Sequence, residues 1–145
     1  MKKLEGKVAV ITGASKGIGE GIARVYAKYG AKLVLAARGE KVLEFAQELR
    51  NEGYDAIGVR TDVSDSSSVL NLVKSALDQY GTIDVLVNNA GVCVLGDLIS
   101  SSDKDRDYQL DINIKGVWNV TRAVAPIMMA KREGKIVIMS SVTGD

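Results

Sequence analysis

Short apolar runs alternate with longer amphipathic stretches along the chain. Five runs have the length and composition of buried β-strands, over 7–12, 33–37, 56–61, 83–87 and 136–139. Between them, apolar residues recur at helical spacing over 18–29, 40–51, 67–80 and about 103–131. Pro126 lies inside the last stretch, where we expect it to kink the helix or break its hydrogen-bond ladder.

This order of elements predicts the fold class. Strands that are apolar throughout and are separated by helices are typical of parallel βαβ units whose sheet is covered on both faces. Right-handed crossovers then predict an α/β fold, a doubly wound parallel sheet of the Rossmann type with strand order 3-2-1-4-5. We expect a single domain over 1–145, with its ligand at the carboxyl ends of the strands.

The last helical stretch carries two apolar stripes. One stripe contains Leu110, Ile114, Val117, Thr121, Val124 and Met128, and the other contains Ile112, Ala123 and Ile127. We expect one stripe to pack on the sheet, and the second to pack either within the domain or on a partner chain. The partner alternative predicts a homo-oligomer, a dimer or tetramer, in the full-length protein.

Composition and charge exclude several classes of partner. The 145 residues are 46% hydrophobic and 26% charged, as in soluble globular domains. The 19 basic and 18 acidic residues are interspersed, so no charged surface for nucleic acid or membrane is predicted. The first apolar run is too short for a signal peptide or a membrane span. We expect a cytoplasmic protein with a small-molecule substrate.

The chain has one cysteine and no histidine. These counts exclude an internal disulfide, a Ser-His-Asp triad and a histidine-ligated metal site, and we expect no metal. Cys93 stands between Val92 and Val94, so we expect a small buried side chain rather than a reactive thiol.

The sequence TGASKGIG joins the first strand to the first helix. Its glycines permit positive φ and let the backbone approach a pyrophosphate at the helix N-terminus. A P-loop would need Ser or Thr after Lys16, where this chain has Gly17. The turn therefore predicts a dinucleotide site, with a turn kept only for packing as the alternative. The predicted contacts are Gly13, Ser15, Lys16, Gly17, Ile18 and Gly19.

The end of the second strand indicates which dinucleotide is bound. A carboxylate there would accept hydrogen bonds from an unphosphorylated ribose, but this strand ends in Ala36, Ala37 and Arg38. Arg38 and Lys16 favour the 2'-phosphate of NADP(H) over NAD. The alternative is that Arg38 is an ordinary solvated residue. A methyltransferase would usually have an acid at this tip, which argues against that class.

Taken together, the motifs resemble those of the short-chain dehydrogenase/reductase family. TGASKGIG, Asp62-Val63, NNAG over 88–91, Asn113 and Ser140-Ser141 occur in the family's order and spacing across the whole chain. The stretches GVCVLGD, DINIKGVWNVT and MSSVTGD resemble one bacterial oxidoreductase of the family in particular.

The resemblance implies roles in cofactor binding. Asp62 would accept from the adenine amino group, and Val63 would lie beside the ring. Asn89, Ala90 and Gly91 would hold the central strand and the ribose on the nicotinamide side, together with Asn88. The residues themselves suggest a second role, because adjacent asparagines are poor strand formers unless their amides bond neighbouring backbone groups.

The resemblance also implies catalytic roles. Ser141 would donate a hydrogen bond to the substrate carbonyl, and Ser140 is the less favoured choice. Asn113 would sit at a helix irregularity and organise a water in the proton path. A polar amide between two isoleucines needs a partner in any case, and a backbone carbonyl would also serve.

One part of the family pattern is missing. The chemistry needs a tyrosine with a lysine four residues later, which lowers the tyrosine pKa from about 10. Here Tyr26, Tyr29, Tyr54, Tyr80 and Tyr108 are followed at that spacing by Gly30, Leu33, Gly58, Asp84 and Ile112. We expect a portion of a longer NADP(H)-dependent oxidoreductase, inactive alone; the alternative is a short dinucleotide-binding module without chemistry.

Overall fold

A computed structural model describes residues 2–141, in which one parallel sheet has the order β3-β2-β1-β4-β5. Its strands are β1 (Val8–Thr12), β2 (Lys32–Ala37), β3 (Ala56–Arg60), β4 (Val85–Asn88) and β5 (Lys135–Ile138). The α-helices are α1 (Gly17–Lys28), α2 (Lys41–Asn51), α3 (Ser66–Tyr80), α4 (Asp103–Leu110) and α5 (Gly116–Lys131). The predicted doubly wound fold and strand order are confirmed.

The central strands are buried on both faces. Along β1, Val8 and Val10 belong to the apolar cluster that α3 and α5 cover, whereas Ala9 and Ile11 belong to the cluster under α1 and α2. Successive side chains of a strand point to opposite faces, so a strand covered on both sides must be apolar throughout. This is why the inner strands appear as continuous apolar runs in the sequence.

The fifth strand departs from this pattern. All of β5 is exposed, with Ile136 at 40% and Ile138 at 57% of their full accessible areas. Within the described chain β5 pairs only with β4, from Val85 opposite Lys135 to Asn88 opposite Ile138. The prediction that every strand is covered on both faces is therefore wrong for this edge strand.

The long helical stretch is divided by a π-helical segment, Asp111–Lys115, between α4 and α5. α5 continues through Pro126, although a proline has no N–H to donate to the hydrogen-bond ladder of the helix. None of the helices in residues 2–141 combines the length and apolar character that crossing a membrane requires.

The predicted apolar stripes of this stretch do not each lie on one face. Leu110 and Ile114 are 51% and 65% exposed, whereas Val124 and Met128 of the same predicted stripe are buried. The π-helical segment adds a residue to one turn, which changes the phase of the helix relative to regular spacing. The buried positions are Ile112, Gly116, Val120, Val124 and Met128.

A polar network joins the amino end of the sheet to α5. Asp84 accepts from the backbone N–H of Val8 at 2.8 Å and from the ammonium of Lys131, which also donates to the Thr82 hydroxyl at 2.9 Å. Burial alone would raise the pKa of Asp84, but the hydrogen bonds from Lys131 and Val8 outweigh it and lower the pKa below its ordinary value.

Candidate functional site

A cleft of about 550 Å³ lies at the carboxyl ends of β1, β2 and β4. This volume is within the range of about 300 to 1,000 Å³ that is typical of small-molecule sites. Ten of the predicted site residues line it: Gly13, Ser15, Lys16, Gly17, Ile18, Arg38, Val63, Asn89, Ala90 and Gly91. Gly19, Asp62, Asn113 and Ser141 are not among its lining residues.

The glycine turn forms one wall of the cleft and needs glycine for two different reasons. Gly13 has φ +61°, and a Cβ there would lie 2.9 Å from Cα of Ala90, so the turn is packed against the loop after β4. Gly17 has φ +57°, and a Cβ there would meet nothing within 4 Å. Among the described residues, the side chain of the N-cap residue Lys16 makes no capping hydrogen bond to α1, which suits the first amide groups of the helix to an anion.

The adjacent asparagines of the loop after β4 make different contacts. Asn89 donates from Nδ2 to the carbonyl of Gly13 at 3.1 Å, which is the backbone fastening expected from the sequence. Asn88 donates to the hydroxyl of Thr121 on α5 at 3.1 Å. Gly19 lies buried behind the first of these bonds, so it supports the turn from inside the protein rather than lining the cleft.

Thr12 also joins the two strands and was not predicted as a site residue. Its buried hydroxyl accepts from the N–H groups of Asn89 and Ala90, each at 3.0 Å, and lies 3.4 Å from the carbonyl of Val87. A hydroxyl at the end of an otherwise apolar strand is the sequence signal that could have identified it, because a buried hydroxyl requires partners.

Arg38 reaches across the mouth of the cleft toward α4. Its Nη1 lies 3.4 Å from the hydroxyl of Tyr108, and its Cζ lies 5.9 Å from the centre of the Tyr108 ring. Tyr108 also lines the cleft, and sequence reasoning missed it. The available signal was an aromatic residue in a helix whose other side chains are almost all polar.

Asp62 follows β3 beside the cleft and is held as a carboxylate. Its Oδ1 accepts from the hydroxyl of Ser64 at 2.6 Å and from the Ser64 N–H at 3.0 Å. The hydroxyl bond is the main reason that the pKa of Asp62 is lowered; burial opposes the shift, and the charges of Arg38 and Lys115 add to it. The next residue, Val63, is buried and contributes apolar lining to the cleft.

Asn113 lies in the π-helical segment, which matches the irregularity implied by the family resemblance. Its amide is bonded at both ends to one residue, because Oδ1 accepts from the N–H of Val92 and Nδ2 donates to the Val92 carbonyl, each at 2.8 Å. Gln109 accepts from the N–H of Val94 at 3.2 Å, and its Nε2 donates to the carbonyl of Asp105 at 3.2 Å. These amides fasten the loop after β4 to the helix; Gln109 was not predicted.

Cys93 is exposed, so the expectation of a buried side chain is wrong. Its neighbours Val92 and Val94 are half-buried, and their backbones are the ones fastened to the helix. Alternate side chains of an extended segment point in opposite directions, which leaves Cys93 toward solvent. Within residues 2–141, no group of three or more acidic or cysteine side chains gathers as metal ligands.

The segment after β5 begins the last part of the predicted site. The N–H of Met139 donates to the carbonyl of Asn88 at 3.0 Å, which extends the strand pairing by one step. Ser140 and Ser141 follow and are exposed. Residues 142–145, which complete the MSSVTGD stretch, lie outside the described residues.

The family model described as short chain dehydrogenase matches residues 7–145. The chain is 54% identical to Oxidoreductase UcpA of Salmonella typhimurium over 145 residues, which are 100% of this chain and 55% of that protein. It therefore spans about half the length of this curated relative.

Two solved structures are similar to the chain. A short chain dehydrogenase/reductase from Burkholderia phymatum in complex with NAD has a TM-score of 0.95 at 42% identity, over 99% of this chain and 52% of that one. An alcohol dehydrogenase from the archaeon Thermococcus sibiricus, complexed with 5-hydroxy-NADP, has a TM-score of 0.88 at 36% identity, over 93% of this chain and 58% of that one. The two similar proteins thus carry different nicotinamide dinucleotides.

Proposed function

Because the chain belongs to the short chain dehydrogenase family, an oxidoreductase family, we propose that it binds NADP(H). The whole protein to which the chain belongs would transfer a hydride between the nicotinamide and a carbonyl or alcohol substrate. The observation that carries the cofactor choice is that Arg38 and Lys16 both line a cleft where β2 ends without a carboxylate. Two cations attract a 2'-phosphate, whereas a carboxylate would repel it.

The residues of the cleft fit a dinucleotide. The open space at Gly17 leaves room for pyrophosphate oxygens beside the uncapped start of α1. Both hydrogen bonds from Ser64 end on Oδ1 of Asp62, so Oδ2 is the oxygen we assign to the adenine amino group. Asn89, Ala90 and Gly91 would contact the other end of the cofactor from the opposite wall.

The cofactor choice is tested by Arg38→Asp. Reversing this charge should shift the ratio of NADPH to NADH affinity toward NADH by about tenfold or more, since attraction of the 2'-phosphate becomes repulsion. Equilibrium titrations with each dinucleotide measure the ratio, and Lys28→Asp is the control because it makes the same charge change at the exposed C-terminal end of α1, outside the cleft. An unchanged ratio after Arg38→Asp would mean that Lys16 or neither residue discriminates between the two dinucleotides, and tighter binding of NADH than of NADPH by the parent chain would contradict the preference for NADP(H).

In the proposed reaction the nicotinamide supplies or accepts the hydride. Ser141 would donate a hydrogen bond to the substrate oxygen. Asn113 would support the proton path, and its two bonds to Val92 give it a fixed orientation for that role.

We propose that residues 1–145 do not turn over substrate alone. None of their tyrosines has a lysine four residues later, and burial raises the pKa of Tyr80 to about 12, which makes it a poor proton donor. The test measures the rate of NADPH oxidation with a panel of aldehydes and ketones. It compares the rate of this chain with the rate of the protein from the complete reading frame. Equal rates would contradict the proposal. No turnover by the longer protein would favour the second candidate, a dinucleotide-binding module without chemistry.

We also propose a cytoplasmic homo-oligomer. Trp118 and Ile114 are each 65% exposed on the outer side of the helices, which supports a partner surface there. The exposed thiol of Cys93 favours a reducing compartment. Sedimentation of the protein from the complete reading frame tests the oligomer, and a monomer at micromolar concentration would contradict it.

A further inference from the structure

We propose that Tyr108 is a positioning residue that holds the Arg38 guanidinium at the adenosine end of the cleft and so contributes to selection of NADP(H). This inference rests on the proposed binding of NADP(H). The two side chains come from different elements, since Arg38 follows β2 and Tyr108 lies in α4, and both line the same cleft. Their contact combines a 3.4 Å approach of Nη1 to the hydroxyl with a 5.9 Å distance from Cζ to the ring centre.

Core packing does not explain an aromatic side chain at this position. No residue of α4 is buried, and Tyr108 itself is 39% exposed. The ring therefore lies on the surface of a polar helix, where it lines the cleft. A tyrosine in this setting offers a guanidinium both an apolar face and a hydroxyl acceptor.

Arg38 depends on such a contact because few other groups hold its charged end. It forms no ion pair within 4 Å in the described chain. Asp62 interacts with it through charge alone, without a direct hydrogen bond among residues 2–141. An exposed arginine with no fixed partner samples many rotamers, and binding would have to order it at an entropic cost. A neighbouring ring reduces that cost while leaving the remaining N–H donors for a phosphate.

The helix that carries Tyr108 is itself fixed in place. Gln109, the next residue, accepts from the N–H of Val94, and Asn113 binds Val92 one turn later. Ser102 caps α4 by accepting from the N–H of Asp105 at 3.0 Å. The ring therefore projects from a helix whose start and following turn are both hydrogen-bonded, which suits it to orient a mobile partner.

The test is a double-mutant cycle with equilibrium titration by NADPH and by NADH, using the protein from the complete reading frame. Tyr108→Leu should weaken NADPH binding about three- to tenfold and leave NADH binding within about twofold, since only the phosphate contact is lost. Tyr108→Phe keeps the ring and should retain most of the affinity. Tyr29→Leu is the matched control, because Tyr29 is equally exposed at 40% and does not line the cleft.

The same NADPH and NADH titrations are repeated with Arg38→Ala alone and with Arg38→Ala combined with Tyr108→Leu. These titrations separate this inference from the proposed function. There, Tyr108→Leu should have no further effect on NADPH affinity. If Arg38→Ala weakens NADPH selectively but Tyr108→Leu does not, the positioning role is overturned and the cofactor choice stands. If Arg38→Ala leaves the NADPH to NADH ratio unchanged, Arg38 does not discriminate between the dinucleotides and this inference fails, whereas the proposed cofactor is contradicted only if the parent protein binds NADH more tightly than NADPH. Tighter NADPH binding by Tyr108→Leu would overturn the inference, because the ring would then compete with the phosphate.

Discussion

Gly19→Ala is predicted to damage both stability and cofactor binding, because one methyl group would enter the joint between the glycine turn and the loop after β4. A Cβ at Gly19 would lie 2.2 Å from the carbonyl oxygen of Gly13 and 2.5 Å from Nδ2 of Asn89. Those two atoms are the acceptor and donor of a 3.1 Å hydrogen bond. The methyl therefore cannot be accommodated without moving backbone or breaking this bond.

The size of the effect follows from three contributions to the free energy of unfolding. Separating Asn89 from Gly13 leaves partly buried polar groups unpaired, at about 1–3 kcal/mol. Forcing an extra methyl into a packed site costs about 1–3 kcal/mol. Replacing a glycine inside a helix returns about 1 kcal/mol. We expect Gly19→Ala to be destabilised by about 1–5 kcal/mol, a large part of the roughly 5–15 kcal/mol available to a domain.

Gly21→Ala is the matched control, two positions further along α1. Its Cβ would meet nothing within 4 Å, so only the helix-propensity gain remains and stability should rise by about 0.5–1 kcal/mol. Urea unfolding followed by far-ultraviolet circular dichroism measures both variants, and NADPH titration measures the site. The reasoning is refuted if the two alanines shift the unfolding midpoint equally, or if Gly19→Ala binds NADPH as tightly as the parent chain.

Three further predictions concern Lys131, Asn113 and Cys93. Lys131→Met should lower stability at pH 7 by about 1–3 kcal/mol. The folded-state pKa of Asp84 is depressed, so the stabilisation by its ionised carboxylate is present above the unfolded-state pKa and is lost as the pH falls through the folded-state pKa. The difference in unfolding free energy between the parent chain and Lys131→Met should therefore shrink below about pH 4. A difference that stays constant with pH would contradict this prediction. Asn113→Ala removes two 2.8 Å bonds to Val92 and should cost about 1–3 kcal/mol by urea unfolding, with Asn113→Asp intermediate. Cys93 should react with a thiol reagent in the folded protein at nearly its unfolded rate, and strong protection would contradict its exposure.

The fold could be predicted from the sequence because both faces of the inner strands are covered. Every residue of β1 and of β4 is buried. Their continuous apolar sequences therefore indicate strands of a parallel sheet that is covered on both faces. The edge strand β5 is apolar after Lys135 and is nevertheless exposed throughout. Composition records what a strand can bury, whereas burial also depends on what lies beside it in space, which a local pattern does not contain.

The site could be predicted where it depends on backbone conformation, and less well where it depends on the direction in which helical side chains point. The glycine turn shows in the sequence because positive φ at Gly13 and Gly17 selects glycine directly. Tyr108 and Gln109 were missed because the side of a helix on which a residue lies can be deduced from sequence only when apolar residues recur at a regular spacing. The π-helical segment interrupts that period, and so the side of α4 facing the cleft could not be deduced.

The site residues divide into two groups by how they are held, and the groups should respond differently to mutation. Thr12, Asn89 and Asn113 bond the turn, the loop after β4 and the helix into one frame, with each bond linking separate elements. Changes there should lose stability and binding together. Arg38 and Tyr108 are exposed and bond mainly to each other, so their substitution should alter dinucleotide selectivity at nearly constant unfolding midpoint. Under the proposed function, selectivity in this cleft should therefore change without disturbing the frame that would hold the cofactor.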